Sequence, residues 1–201
     1  MIKLLFLASI FLEVAFATAA CSASTANVDD VAVISKSTIY NTSTQQLKSN
    51  RIPDSVFQMT NLRELSISGM DCDYVKRDKE GRIIIDCWMI KEIPADIKNL
   101  KKLTTLQLPL NAISRIPNEI TQLTNLVSVN LTDNPGLSDV DILARLTQLK
   151  YLCLYGCNIK KFPADIGNLR NLKELGLAGN DIGKVELERI KKALPNCKVI
   201  F

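Results

Sequence analysis

The sequence predicts an α/β solenoid, with a parallel sheet along one face and short helical or irregular turns along the other. Three observations carry that prediction. A 23-residue pattern recurs five times, with starts at Glu80, Leu103, Leu126, Leu149 and Leu172. Within each unit, positions 4 and 6 are aliphatic (Ile83 and Ile85, Leu106 and Leu108, Val129 and Leu131, Leu152 and Leu154, Leu175 and Leu177), and position 9 holds Trp88, Asn111, Asn134, Cys157 or Asn180. Both ends of the array depart from the pattern, as a stack requires, because a regular end would expose core and sheet edge.

Taken in order, Met1 to Ala20 reads as a secretory signal peptide: Lys3 gives a basic start, Leu4 to Phe16 is mostly apolar, and alanines offer cleavage sites. It is too short for a membrane span. Glu13 is a charge inside that run. Cleavage after Ala19 or after Ala20 is open. The stretch Thr18-Ala19-Ala20-Cys21-Ser22 resembles a bacterial lipoprotein box, with Thr18 where a larger aliphatic residue is usual. That resemblance makes Cys21 a candidate lipid-attachment site, the one expected link to a membrane. Plain secretion or periplasmic release is the alternative. Residues 21–45 are polar and poor in aromatics, a lead-in or tether rather than a second domain.

The repeat domain is expected over 46–201. Gln46 to Asn61 forms a degenerate first unit, because Ile52-Pro53, Val56, Met59 and Asn61 match the later halves of the other units. The period breaks once, after Leu62, where a charged, glycine-containing stretch predicts a protruding loop or irregular hairpin at about 70–82. In the regular units, positions 4 and 6 point inward from a short strand, and Asn or Cys at position 9 satisfies backbone groups in the turn that follows. Ile93-Pro94, Ile116-Pro117 and Phe162-Pro163 then start the helical half, where proline presets φ and needs no donor. A closing helix is expected at about 184–194, followed by a last strand ending at Phe201.

These residues resemble the leucine-rich repeat family in its 23-residue form with an Ile-Pro or Leu-Pro step, over roughly Leu47 to Phe201. The ending is similar to the C-terminal closure of small bacterial members. The resemblance implies a horseshoe with the sheet on its concave face. It implies little about function, since the family shares a scaffold and differs in what it binds.

The chain has no histidine, which removes His-based triads, Cys–His dyads and imidazole metal sites. Acidic residues expected on the concave face, Glu64, Asp86 and Glu174, fall in separate units, Asp86 and Glu174 about 19 Å apart. Glycosidase carboxylates stand about 5 to 9.5 Å apart. The chain is therefore read as non-enzymatic, without cofactor or metal. A net charge of +4 with acids and bases interleaved (Lys91, Glu92, Asp96, Lys98) reads as a solvated surface, not a nucleic-acid stripe. Cys72 and Cys87 flank the irregular stretch; they form a disulfide across it in an oxidising compartment, or remain buried thiols.

The expected binding surface is the outward row of the sheet: Gln107, Ser128, Asn130, Thr132, Tyr151, Cys153, Tyr155 and Glu174, with Arg82, Ile84 and Asp86 at one end. Tyr151 and Tyr155 stand out, since tyrosine combines apolar area with a polar tip. Asn41-Thr42-Ser43 and Asn130-Leu131-Thr132 match the N-glycosylation pattern, and a glycan on Asn130 would obstruct this face. The sequence thus points to recognition of a macromolecule, a protein, outside the cell or at its envelope. A spacer or structural role without a specific ligand is the alternative.

Overall fold

The computed structural model describes residues 37–69, 76–77, 79–80, 83–84, 88–137 and 139–201. The leader, Cys21, Cys72, Asp86 and Cys87 lie outside the described residues. Among the described residues there are nine strands: β1 (Ile39–Ser43), β2 (Glu64–Ser68), β3 (Lys76–Arg77), β4 (Ile83–Ile84), β5 (Thr105–Gln107), β6 (Ser128–Asn130), β7 (Tyr151–Cys153), β8 (Glu174–Gly176) and β9 (Lys198–Ile200). Seven form one sheet in the order β1-β2-β5-β6-β7-β8-β9, every pair parallel. This is a leucine-rich repeat solenoid.

Position 4 is the spine. Leu65, Leu106, Val129, Leu152 and Leu175 stand in register on successive strands, each fully buried. Position 6 adds Ile67, Leu108, Leu131, Leu154 and Leu177 beside them. Each such side chain contributes about 1.5–3 kcal/mol on burial, and only the neighbouring coil can supply that burial.

The opposite side is built from single 3-10 turns, Asp54–Gln58, Ala95–Asn99, Asn118–Gln122, Asp141–Arg145 and Ile166–Asn168. Pro53, Pro94 and Pro117 precede the first three with φ of −60°, −66° and −72°. Their carbonyls accept the first i→i+3 bonds, as from Ile97 N at 3.1 Å. Three to five residues leave no length for a full α-helix, and the tighter turn brings Val56, Ile97, Ile120, Leu143 and Ile166 onto the core. Asp139 occupies the place held by Ile93, Ile116 and Phe162 in other units, and a groove of ≈ 980 Å³ opens there between Arg115 and Arg145.

Position 9 ties the coils together. The Asn111 Oδ1 accepts from Ile90 N (2.8 Å), that of Asn134 from Ile113 N (2.9 Å), and that of Asn180 from Ile159 N (2.9 Å). Each amide nitrogen donates to carbonyls of its own coil and of the one before, as Asn134 Nδ2 does to Leu131 O (2.8 Å) and Leu108 O (2.9 Å). Cys157 supplies only the donor half, its Sγ lying 3.1 Å from Leu131 O.

Two sequence expectations need correction. Ile83 does not occupy position 4 of a repeat: β4 pairs antiparallel with β3 in a separate two-stranded sheet, and β2 pairs directly with β5. The unit that begins at Leu62 resumes at Trp88, so the interruption covers 70–87, not 70–82, and Ile84 is not on the concave face. The 18 residues between Gly69 and Trp88 fall five short of the 23-residue period, and Glu80 passed for a start because it lies one period before Leu103. Trp88 and Ile90 do hold positions 9 and 11, but of the β2 coil. The second correction concerns residues 21–45, where β1 begins at Ile39 and supplies the first strand of the sheet.

Both ends are closed. Beyond β1, helix α1 (Thr44–Leu47) opens with a capping box: Ser43 Oγ accepts from Gln46 N, and Gln46 Oε1 accepts from Ser43 N. Thr44 Oγ1 donates to the Trp88 carbonyl, and Asn50 Oδ1 accepts from Met89 N (2.8 Å). At the other end helix α2 (Lys184–Ala193) buries Leu187 and Ile190. Glu186 and Arg189 form a two-bonded pair (2.7 and 2.9 Å) that clasps the last turn: Phe162 N donates to Glu186 Oε1 (2.8 Å), and Arg189 Nη2 donates to Phe162 O (2.8 Å). The Arg189 hydrogen bonds and then the Phe162 N–H outweigh desolvation and hold the Glu186 carboxyl at about 2, below its ordinary 4.5. A lowered carboxyl stabilises the fold above pH 4.5, and that contribution is lost as pH falls toward about 2. The expected result is that Glu186→Gln melts below wild type at pH 7 and level with it at pH 2; an equal deficit at both, by thermal unfolding, would reject the ionised clasp.

Candidate functional site

The register fixes what the concave face presents. Thr105, Ser128, Tyr151, Glu174 and Lys198 form one row across β5 to β9; Ser66, Gln107, Asn130, Cys153 and Gly176 form the next across β2 to β8. Tyr155 follows β7 by two residues, its carbonyl pinned by Asp133 N at 2.7 Å.

The structure gathers Tyr151, Tyr155 and Glu174 at the C-terminal end of this face. The Tyr155 ring lies across Gly176: a Cβ there would stand 2.4 Å from the ring Cζ. The missing side chain is what makes the bed for the ring. Burial, then the nearby Glu174 charge, push the Tyr155 phenol above its ordinary pKa, so its O–H remains a donor at neutral pH. Lys198, which sequence reasoning missed, faces Glu174 on β9 with Nζ 3.9 Å from Oε2 and is mostly exposed. The closing unit is one residue longer than the period, since Glu174 to Lys198 is 24 positions, and that shift hid it. Tyr151 and Tyr155 are half-buried, rigid and flanked by one acid and one base.

The rest of the expected surface is less open. Thr132 is half-buried, while Gln107, Ser128 and Asn130 are buried. Asn130 Oδ1 accepts from Thr132 N (3.0 Å), which holds that buried amide against the sheet. Cys153 is not a free contact residue. It is disulfide-bonded and 2% exposed. Cys157 and Cys197 are free thiols, so its partner is Cys21, Cys72 or Cys87, all outside the described residues. Burial pushes Cys157 and Cys197 each up to about 11, leaving neither as a thiolate nucleophile at neutral pH. Among the described residues no cluster of Cys, Asp and Glu is placed to hold a metal ion, and no helix is long and apolar enough to cross a membrane.

Comparison with known proteins agrees with this geometry. A family model described as Leucine Rich Repeat matches residues 148–169. The volume-regulated anion channel subunit LRRC8B of Mus musculus is 33% identical over 138 residues, which is 68% of this chain and 15% of the channel subunit. A solved leucine-rich repeat protein of Leptospira interrogans superposes with a TM-score of 0.61 at 30% identity, covering 75% of this chain and 34% of that one. An internalin of Listeria monocytogenes superposes at 0.54 over 75% of this chain and 44% of its own, at 22% identity, a likeness of fold alone. The chain thus spans a small part of the proteins it matches, and what it shares with them is the repeat array. No enzyme family is evident.

Proposed function

We propose that this leucine-rich repeat solenoid is a non-enzymatic binding protein that recognises a protein partner through the C-terminal half of its concave face, outside the cytoplasm. The observation that carries the reading is the Tyr151–Tyr155 pair on a rigid parallel sheet, with Gly176 bedding one ring and Glu174 and Lys198 beside it. Half-buried tyrosines held by the scaffold lose little entropy on binding, and such residues concentrate interface energy. The neighbouring ion pair gives orientation to whatever lies against them. The disulfide at Cys153 supports an oxidising compartment, in keeping with the leader-like N-terminus. A lipid on Cys21 would add a membrane tether to the same function.

The test uses paired baits, the wild-type protein and a Tyr151→Ala/Tyr155→Ala variant of matched melting temperature. Each is exposed to extracts of its own cells and their surroundings. A saturable protein partner is expected on the wild type, with recovery at least ~10-fold lower on the variant, the loss expected for about 1.4 kcal/mol of anchor energy. Equal recovery on both baits would remove the tyrosine assignment. Absence of any saturable partner would favour the spacer role.

A further inference from the structure

Three lysines stand on three consecutive coils at the edge where β7, β8 and β9 begin. Lys150 directly precedes β7, Lys173 directly precedes β8, and Lys198 opens β9. The backbone fixes their order: Lys173 N–H donates to Lys150 O (2.8 Å), and Lys198 N–H donates to Lys173 O (2.8 Å). All three are exposed. Among the described residues neither Lys150 Nζ nor Lys173 Nζ has an ion-pair or hydrogen-bond partner, and Lys198 Nζ approaches Glu174 Oε2 only to 3.9 Å. The corresponding residues on the two coils before, Thr104, Thr105, Val127 and Ser128, are uncharged. On β2, Arg63 stands beside Glu64. The surplus of this edge, three lysines against one glutamate, therefore falls at the end that holds Tyr151 and Tyr155.

That surplus differs from an ordinary solvated face. On the outer turns bases and acids are interleaved, as Lys91, Glu92, Asp96 and Lys98 are. Here like charges rise from backbones about 4.8 Å apart, and an anion laid across them relieves their repulsion. We propose, resting on the binding face assigned above, that the partner presents an acidic extended segment to this edge. Its carboxylates meet Lys150 and Lys173, and an apolar or aromatic side chain beside them meets Tyr151 and Tyr155. Glu174, mostly buried beside Lys198, repels a carboxylate from the row of Tyr151, so the acids belong at the edge and the apolar group at the rings. Alternate side chains on one face of an extended chain lie about 6.6 Å apart. Flexible lysine stems take up the ~2 Å by which that exceeds the coil spacing.

Other polyanions fit less well. Nucleic acid is held by many phosphate contacts along a groove, whereas this edge has three lysines with a carboxylate among them. An anionic bilayer is flat, while Tyr151 and Tyr155 are half-buried on a concave sheet and do not reach it together with the lysines.

The test is selection of random linear peptides displayed on phage against the full chain, with recovered peptides resynthesised and titrated by fluorescence anisotropy. They should be enriched in Asp and Glu over the starting library. Their affinity should fall at least ~10-fold on Lys150→Gln/Lys173→Gln, a loss shared between two exposed pairs. Lys91→Gln/Lys98→Gln removes the same charge from the outer face and should leave affinity within ~2-fold. All four substitutions are at exposed residues, so both variants should melt with wild type. Recovery of neutral or basic peptides alone, equal affinity on Lys150→Gln/Lys173→Gln, or no recovered peptide would overturn the proposal. So would displacement of the peptides by single-stranded DNA or by phosphatidylserine vesicles at matched anion concentration, which would make the edge a general polyanion surface. Peptides lost on Tyr151→Ala/Tyr155→Ala but indifferent to the lysines would sink the acidic segment and keep the tyrosine site. Acidic peptides that need the lysines but not the tyrosines would remove the tyrosine assignment and leave the basic edge standing.

Discussion

Gly69→Ala is expected to destabilise the solenoid by roughly 3 kcal/mol or more, at or beyond the upper end of overpacking costs. A Cβ on Gly69 would stand 1.4 Å from the Leu110 carbonyl oxygen and 2.4 Å from its carbon. Both are backbone atoms, and neither can swing aside. Leu110 is itself held at φ 57°, with its N–H bonded to Thr132 O (2.9 Å), while the Pro109 carbonyl takes both Gly69 N–H (2.8 Å) and Asn111 Nδ2 (3.0 Å). Relief therefore requires parting β2 from β5 at the point where the interruption leaves the array. Gly183→Ala is the matched control: its Cβ would meet nothing within 4 Å, and loss of glycine at that helix cap costs under about 1 kcal/mol. Thermal unfolding of the two variants side by side should show a fall in Tm for Gly69→Ala several times that for Gly183→Ala. Equal melting would show that the two backbones do not approach at Gly69.

That contact marks where the sequence was legible and where it misled. The regular units from Leu103 onward repeat one physical requirement, an aliphatic pair inside and an amide at the turn, and nothing between them disturbs the count. The strands, their order and the closing helix followed from it. At Glu80 the same count gave a false unit, because Ile83 and Ile85 copy the alternation of a buried strand in sequence, while Ile83 and Ile84 pair elsewhere. Period alone cannot separate a repeat from an insertion that happens to keep phase. The polarity of Ile39–Ser43 hid β1 for a related reason: an edge strand next to a cap needs fewer apolar residues.

The candidate site was legible only in part. Tyr151, Tyr155 and Glu174 could be placed on the outward side because strand residues alternate. Exposure could not, since it depends on what covers the face. Ser128 and Asn130 are as polar as any surface residue, yet they are buried. Cys153 was readable as an outward thiol but not as half of a disulfide, because its partner lies far away in sequence.

Asn134→Ala is the second large effect expected, about 2–4 kcal/mol, and the reason lies in how the position-9 ladder divides its work. Asn134 is fully buried, and alanine would strip Ile113 N of its acceptor and Leu108 O of its amide donor inside the core. Leu131 O would keep the Cys157 thiol at 3.1 Å. Cys157 shows why a thiol suffices in the next coil. It donates but offers no strong acceptor, and the coil before it has Gly136 at position 11, where a Pro135–Gly136 turn closes by Leu137 N donating to Asn134 O (2.9 Å). That coil does not lean on an acceptor from position 9, whereas the coil of Ile113 does. Asn134→Cys should therefore fall between wild type and Asn134→Ala, since it restores a donor and not the acceptor. Cys157→Ala should cost about 1 kcal/mol, the loss of one weak donor and a sulfur's volume. Urea unfolding of the three variants would order them, and an Asn134→Cys protein as stable as wild type would show that the acceptor for Ile113 N is not what the asparagine contributes.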